Sequence, residues 1–320
     1  MLNWKTRFFI LNNEMKQIMY DYLLIEQSNV ARYEELTYPA FRPHLRKVAP
    51  DSSKVAIGVE LDSEPIGLIF AEYLTTKATP SKKFGQILSF FVVPKYRSQG
   101  IGTTLLQKIS AELKHRGCEK ISLKYLDNPY QIALEKILKG QNWLTPEATA
   151  LICYSTTAKL KNARIIKHLD RLSPTLLDDY TIFPWHSLTE ADRDYLKGVM
   201  EIHPLTRKFS PFTEEKKIEP LNSLGLRYKD KVVGWMINHR TAPDTIRYTQ
   251  MYVHPDYKPL SQSILFLGKA IKLQCEAVPE VPRMTCRVET DNTPMVNFVN
   301  RRLAPHLENI RRAWRVSRCL

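Results

Sequence analysis

The sequence predicts an α/β chain of two tandem domains, each a mixed, mostly antiparallel sheet flanked by helices. Three observations lead there. The apolar run Phe90-Phe91-Val92-Val93 stops at Pro94, and a basic turn, two glycines and an amphipathic pattern follow. That order reads as strand, loop, helix. The same order of residue types returns 161 positions later, at Tyr252-Val253-His254-Pro255-Asp256-Tyr257-Lys258. A repeat of this kind marks a duplicated unit. Finally, 320 residues with 43% hydrophobic content suffice for about two packed domains.

The elements follow in order. Lys54 to Leu61 and Pro65 to Thr75 read as a hairpin turning through Asp62-Ser63-Glu64. Gly85 to Val92 reads as the next strand. The loop Arg97-Ser98-Gln99-Gly100-Ile101-Gly102 then leads into a helix with apolar positions Leu105, Leu106, Ile109 and Leu113, spaced by three and four. Lys114, His115 and Arg116 precede its stop at Gly117, where cations suit the helix dipole. Lys120 to Asp127 reads as a strand, Tyr130 to Lys139 as a helix, and Ala148 to Thr157 as a strand closing the first domain. Gly100 and Gly102 let a ligand approach the backbone, and the loop aims N–H groups at one point beside a helix N-terminus. Such a site suits a phosphate, and Arg97 stands where it can meet one.

Arg97 to Gly102 matches the Arg/Gln-x-x-Gly-x-Gly/Ala signature, and residues 1–160 as a whole resemble one domain of the GNAT acyltransferases. The resemblance implies acetyl-CoA as co-substrate. The backbone of Phe91 and Val92 would pair with the pantetheine arm. Ser98, Gln99, Gly100, Ile101, Gly102 and Thr103 would hold the pyrophosphate, and Asn128 would contact the pantetheine or acyl region. The family's reaction is attack of an amine on the thioester, with a strand N–H near Val92 as oxyanion donor. Its proton donor is commonly a tyrosine on the helix after strand five. Here that helix, Ala133-Leu134-Glu135-Lys136-Ile137-Leu138, has none. Tyr130 at its start is nearest, Tyr125 lies on strand five, and Glu72 and Asp127 are the acidic candidates. Catalytic candidates are therefore Tyr130, Glu72 and Asp127. By the same resemblance, the region before the hairpin shapes the acceptor site, which nominates Tyr38, Phe41 and Arg42.

Further echoes support a second GNAT-like domain over 177–320, joined by a linker helix over 161–176. Lys231-Val232-Val233-Gly234-Trp235 echoes Glu64-Pro65-Ile66-Gly67-Leu68, and Asp291-Asn292 echoes Asp127-Asn128. Ser261 and Ser263 replace the loop glycines, and Pro259 removes an N–H donor. The second domain should therefore bind acyl-CoA weakly or not at all, and serve as a scaffold, a homodimer surface or a wall of the acceptor site.

Composition narrows the classes. No apolar run reaches membrane length, and the expectation is a soluble, cytoplasmic protein. Five cysteines without CxxC spacing read as reduced thiols, and neither they nor the eight histidines predict a metal site. The formal charge of +14 suits anionic CoA. Arg301, Arg302, Arg311, Arg312, Arg315 and Arg318 form the sharpest basic cluster, read as a solvated face or a nucleic-acid contact. The loop lacks both the Walker and the GxGxxG pattern. The leading reading is an N-acetyltransferase with an amine acceptor. The alternative is a non-catalytic protein that senses acyl-CoA or binds RNA or a partner.

Overall fold

The computed structural model describes residues 7–10, 18–75, 82–167, 169, 179–202, 209–257, 260–277 and 280–320. They fall into two compact units, one of Met1–Ala148 with Ala313–Leu320, the other of Thr149–Arg312.

In the first unit, strands β1 (Arg7–Ile10), β2 (Ile18–Leu24), β3 (Lys54–Leu61), β4 (Glu64–Thr75), β5 (Lys83–Val92) and β6 (Cys118–Leu126) lie side by side in chain order. All neighbours are antiparallel except β5 and β6, which run parallel. The β3–β4 turn needs two left-handed residues, and Asp62 and Ser63 supply them with φ of +50° and +67°. That is a two-residue hairpin whose twist matches the strands. Glu64, expected in the turn, already pairs with Leu61.

Short 3-10 turns and α1 (Arg42–Leu45) cover one face of this sheet, with Ile25, Val30, Tyr33, Leu45 and Val48 packed on Ala56, Leu68 and Phe70. Gly58 makes room there, since a Cβ would stand 2.2 Å from the Tyr33 ring. The other face carries α2 (Ile101–His115), whose Leu105, Leu106, Ile109 and Leu113 are buried against Tyr20, Val55, Ile57, Ile69 and Ile87. After α2 the chain turns at Gly117, with φ of +83°. Helix α3 (Gln131–Lys139) contributes Leu134, Ile137 and Leu138 to the same core.

The last strand of this unit differs from the expectation. β13 (Asn309–Cys319) pairs antiparallel with β6, from Ala313↔Leu126 to Cys319↔Lys120. Val316 enters the core beside Ile121 and Leu123. The strand expected in that place, β7 (Glu147–Thr156), instead pairs with β12 (Arg283–Glu289) in the second unit. Leu151 and Cys153 are buried there with Val288, Val299, Leu303 and Leu307. The expected boundaries of 1–160 and 177–320 therefore give way to an exchange of closing strands. An alternating apolar strand fits any open edge of matching pattern, so sequence order alone does not choose its partner.

The second unit continues from β12 through β11 (Thr245–Val253), β10 (Lys231–Ala242), β9 (Leu224–Tyr228) and β8 (Tyr180–Pro184). Only β11 and β12 are parallel. Short helices α4 (Thr157–Leu160) and α5 (Arg164–Lys167) occupy the start of the expected linker. Residues 168 and 170–178 of that region lie outside the described residues. Helix α6 (Glu190–Ile202) is capped reciprocally, with Thr189 and Asp192 bonded through both side chains and backbones. Helices α7 (Leu260–Glu276) and α8 (Thr293–Phe298) follow, and Asn292 caps α8 by accepting from the Met295 N–H. Among the described residues, no helix is long and apolar enough to cross a membrane.

Candidate functional site

Two strands of the first unit part company midway. Parallel pairing of β5 with β6 runs from Lys83↔Cys118 to Ile87↔Leu123 and stops there. Beyond it, Ser89 to Val92 pair with β4, while Lys124, Tyr125 and Leu126 pair with β13. The divergence coincides with a bulge. Ser89 faces Phe70 and Ile87 faces Ala71, so Leu88 is the extra residue. A bulge bends its strand and increases the local twist, which carries β5 away from β6. One edge of Leu88 to Val92 is left without a strand partner among the described residues.

The phosphate-sized loop sits at this open end. One 3-10 turn, Pro94–Tyr96, follows β5. Ser98 takes φ of +61° and Gly100 φ of +78°, and Gly100 is the residue that precedes the first turn of α2. The first N–H groups of α2 have no intrahelical acceptor, so they carry the helix's positive end to the loop. Gly102 has a different cause from the one its sequence suggests. A Cβ there would lie 3.3 Å from both Phe90 and Ile137, so this glycine lets α2 pack close to β5 and α3.

Arg97 bridges the opening. Its Nε donates to the Val92 carbonyl at 2.8 Å. Its guanidinium carbon stands 5.6 Å from the Phe91 ring centroid and 4.1 Å from that of Tyr130, at the start of α3. Its Nη1 is buried without a hydrogen-bond partner among the described residues. An unpaired guanidinium N–H is costly unless something anionic or polar meets it. The remaining loop residues are held from behind. Tyr20 donates its hydroxyl to Gln99, Ile101 turns its side chain into the core, and the Thr103 carbonyl accepts from Gln141 at 2.9 Å. What Ile101 offers outward is its backbone.

The opposite lip is the end of β6. Asn128 spends its side chain on its own turn, donating to the Leu126 carbonyl and accepting from the Tyr130 N–H, each at 2.8 Å. Asp127 accepts from the Trp314 indole N–H at 2.5 Å. Tyr125, one residue past Lys124, donates its hydroxyl to Glu135 on α3 at 2.8 Å, and Gln131 donates to the same oxygen. Burial first, then the Glu135 carboxylate, push the Tyr125 phenol well above its ordinary range. The pair was hard to see in sequence because Tyr125 and Glu135 belong to different elements.

Glu72 stands apart from this place. It faces Gln86 across β4–β5, where β5 and β6 are still paired, and lies 3.7 Å from Lys54. From Gly67, which faces Val92, it is five residues along the strand, about 17 Å. Of the acceptor candidates, Phe41 packs into the cluster that includes Leu88, the bulge residue. Tyr38 is exposed and meets Phe41 edge-on with centroids 6.2 Å apart. Arg42 pairs with Glu35 at 2.8 Å. Two arginines of the basic C-terminal cluster also have local work. Arg315 pairs with Glu147, and Arg318 donates to the Gln141 carbonyl over the Trp143 ring.

Residues 15–136 match the family model described as Acetyltransferase (GNAT) family. Most of the chain superposes on solved structures. One is a tandem GNAT protein from the clavulanic acid biosynthesis pathway, solved without AcCoA. It has a TM-score of 0.62 and 14% identity, over 94% of this chain and 98% of that one. A GCN5-related N-acetyltransferase from Sphaerobacter thermophilus has a TM-score of 0.57 and 13% identity, over 92% and 95%. Residues 15–136 thus match the GNAT family, and the chain as a whole is tandem-GNAT-like in its fold.

The second GNAT-like unit repeats the frame with altered parts. β11 pairs with β12 only from Thr245 to Tyr248, so its end also runs free of β12. Tyr252, the counterpart of Phe91, is stacked on Trp235 with centroids 4.6 Å apart. The helix after β11 begins at Leu260, the counterpart of Gln99, whereas α2 begins at Ile101. Only 258 and 259, outside the described residues, separate the turn Pro255–Tyr257 from that helix. The loop is thus two residues shorter than in the first unit.

Proposed function

We propose that the first unit is an acyl-CoA-dependent N-acyltransferase, with acetyl-CoA as the donor and an amine of a small molecule or protein as the acceptor. The observation that carries this reading is the buried, unpaired Nη1 of Arg97 at the mouth of the β5–β6 opening, beside the α2 N-terminus. These groups fit a pyrophosphate. Arg97 and the backbone of Ser98 to Thr103 would hold it, and the free edge of Phe91 and Val92 would receive the pantetheine amides as an added strand. When bound, acyl-CoA supplies an activated acyl thioester.

The chain's own residues then have distinct tasks. Tyr130 stacks on Arg97 and orients it. The Tyr125 hydroxyl keeps its proton because of burial and Glu135, and spends it on the hydrogen bond that holds β6 to α3. Neither proposed base is well placed, since Glu72 is remote and Asp127 is bonded to Trp314. Proximity and orientation of the amine would supply much of the rate. That same shortage of a well-placed carboxylate among the described residues favours, as a second reading, a unit that binds acyl-CoA without turnover.

Thiol release from acetyl-CoA across a panel of amines separates the two. Amine-dependent release supports the transferase. Saturable binding with no release for any amine supports the sensor.

A further inference from the structure

Cys153 and Cys286 were unremarkable in sequence, 133 positions apart and without any motif. The structure sets them directly opposite each other on the antiparallel strands β7 and β12. Directly opposed residues of an antiparallel pair have Cα atoms about 4.5–5.5 Å apart. Disulfides accept Cα separations of about 4.4–6.8 Å, so either kind of pair falls within that Cα range. Both side chains enter one apolar cluster with Leu151, Val288, Val299 and Leu303. Both cysteines are free thiols; Cys153 is buried and Cys286 is partly exposed. The Cys286 thiol donates to the Cys153 sulfur, which holds the Cys153 thiol below its ordinary range and the Cys286 thiol above it.

We propose that Cys153 and Cys286 are a redox modification site, a dithiol that hydrogen peroxide converts to a cross-strand disulfide. One sulfur attacks a peroxide oxygen, the O–O bond breaks, and water leaves with the transferred proton, giving a sulfenic acid. The second sulfur displaces that hydroxyl, the S–S bond forms, and a second water leaves. Two thiols are oxidised by two electrons and one peroxide is reduced to two waters. Cys286 is partly exposed, and its opposed position sets the second sulfur beside any sulfenic acid formed on the first. The bond ties β7, the strand that arrives from the first half of the sequence, to β12. It closes a long loop, which restricts the unfolded chain and raises the second unit's resistance to denaturant.

The test uses the full chain, reduced and then exposed to a few equivalents of hydrogen peroxide. Thiols are counted after denaturation, and peptides are mapped by mass. The expected result is a loss of two of the five thiols, a mass decrease of about two hydrogens per chain, and one linked peptide pair containing Cys153 and Cys286. A reductant should restore all five. Cys286→Ser and, separately, Cys153→Ala should each abolish the linked pair, so the result does not hang on one variant's folding. Five retained thiols, separate sulfinic acids, or a linkage elsewhere would overturn the proposal.

Discussion

Trp314 donates its indole N–H to Asp127 across 187 positions of sequence, at 2.5 Å. The bond ties the open end of β6 to a strand from the far end of the chain. Asp127 thereby becomes part of the frame of the opening. Trp314→Phe removes the donor and keeps an aromatic ring, though a smaller one. A hydrogen bond to a charged acceptor contributes about 1.5–3 kcal/mol, so urea denaturation should show a loss in the first unit of about that size. A change below about 0.5 kcal/mol would mean that Asp127 is held by other means.

Arg97→Gln tests the anion site. The substitution removes the charge and the unpaired Nη1 of a half-buried side chain that contributes no apolar core contact, so the fold should persist. Affinity for acetyl-CoA should fall by about 10- to 100-fold, the scale of one charge-assisted contact to phosphate. Calorimetric Kd values within twofold of each other would remove Arg97 from the site.

The two loop glycines should respond differently. Gly100→Ala meets a left-handed backbone and should cost about 1 kcal/mol in stability from strain. Gly102→Ala pushes a methyl toward Phe90 and Ile137 and should cost about 1–3 kcal/mol through overpacking, with acetyl-CoA affinity little changed in the folded fraction. Thermal unfolding with and without acetyl-CoA checks both. Loss of affinity in Gly102→Ala without loss of stability would return that glycine to the ligand.

Much of the first unit is legible in sequence because its signals are local. The hairpin turn is written in Asp62-Ser63, the buried face of α2 in the spacing of Leu105, Leu106, Ile109 and Leu113, and the passage from strand through loop to helix in Val92 to Gly102. Long-range choices leave no such trace. Ala148 to Thr157 alternates as a strand must, yet nothing in it says that β12 is its partner. Trp314 looks like one aromatic in an arginine-rich tail until β13 is set against β6. Glu72 and Asp127 are carboxylates of the right kind on the right strands. Only register shows the first to lie far along β4 and the second to be bonded to an indole.

Asp192 predicts an acid transition in the second unit. Arg227 grips its carboxylate at 2.7 and 2.9 Å, and Thr189 adds two bonds. Arg227 foremost, with Thr189 adding to it, holds the Asp192 carboxyl well below the usual carboxylate range against the opposing effect of burial. With the folded pKa depressed, this stabilisation is fully present above the unfolded value near pH 4 and is lost as pH falls through the folded value. Arg227→Met should destabilise the unit by about 3–5 kcal/mol at neutral pH, since it leaves a buried carboxylate unpaired. It should also flatten the stability profile below about pH 4. A variant whose acid profile overlays the wild type would contradict this.

The central claim is that one unit of the pair binds acyl-CoA and the other binds it weakly or not at all. Titration of acetyl-CoA by calorimetry into the full chain and into Gly100→Asp, which places a carboxylate at the loop without entering the core, tests it most directly. The prediction is saturable binding at one site per chain, absent in the variant. Two equal sites per chain would contradict the asymmetry between the units, and no binding to the wild type would contradict the acyltransferase reading itself.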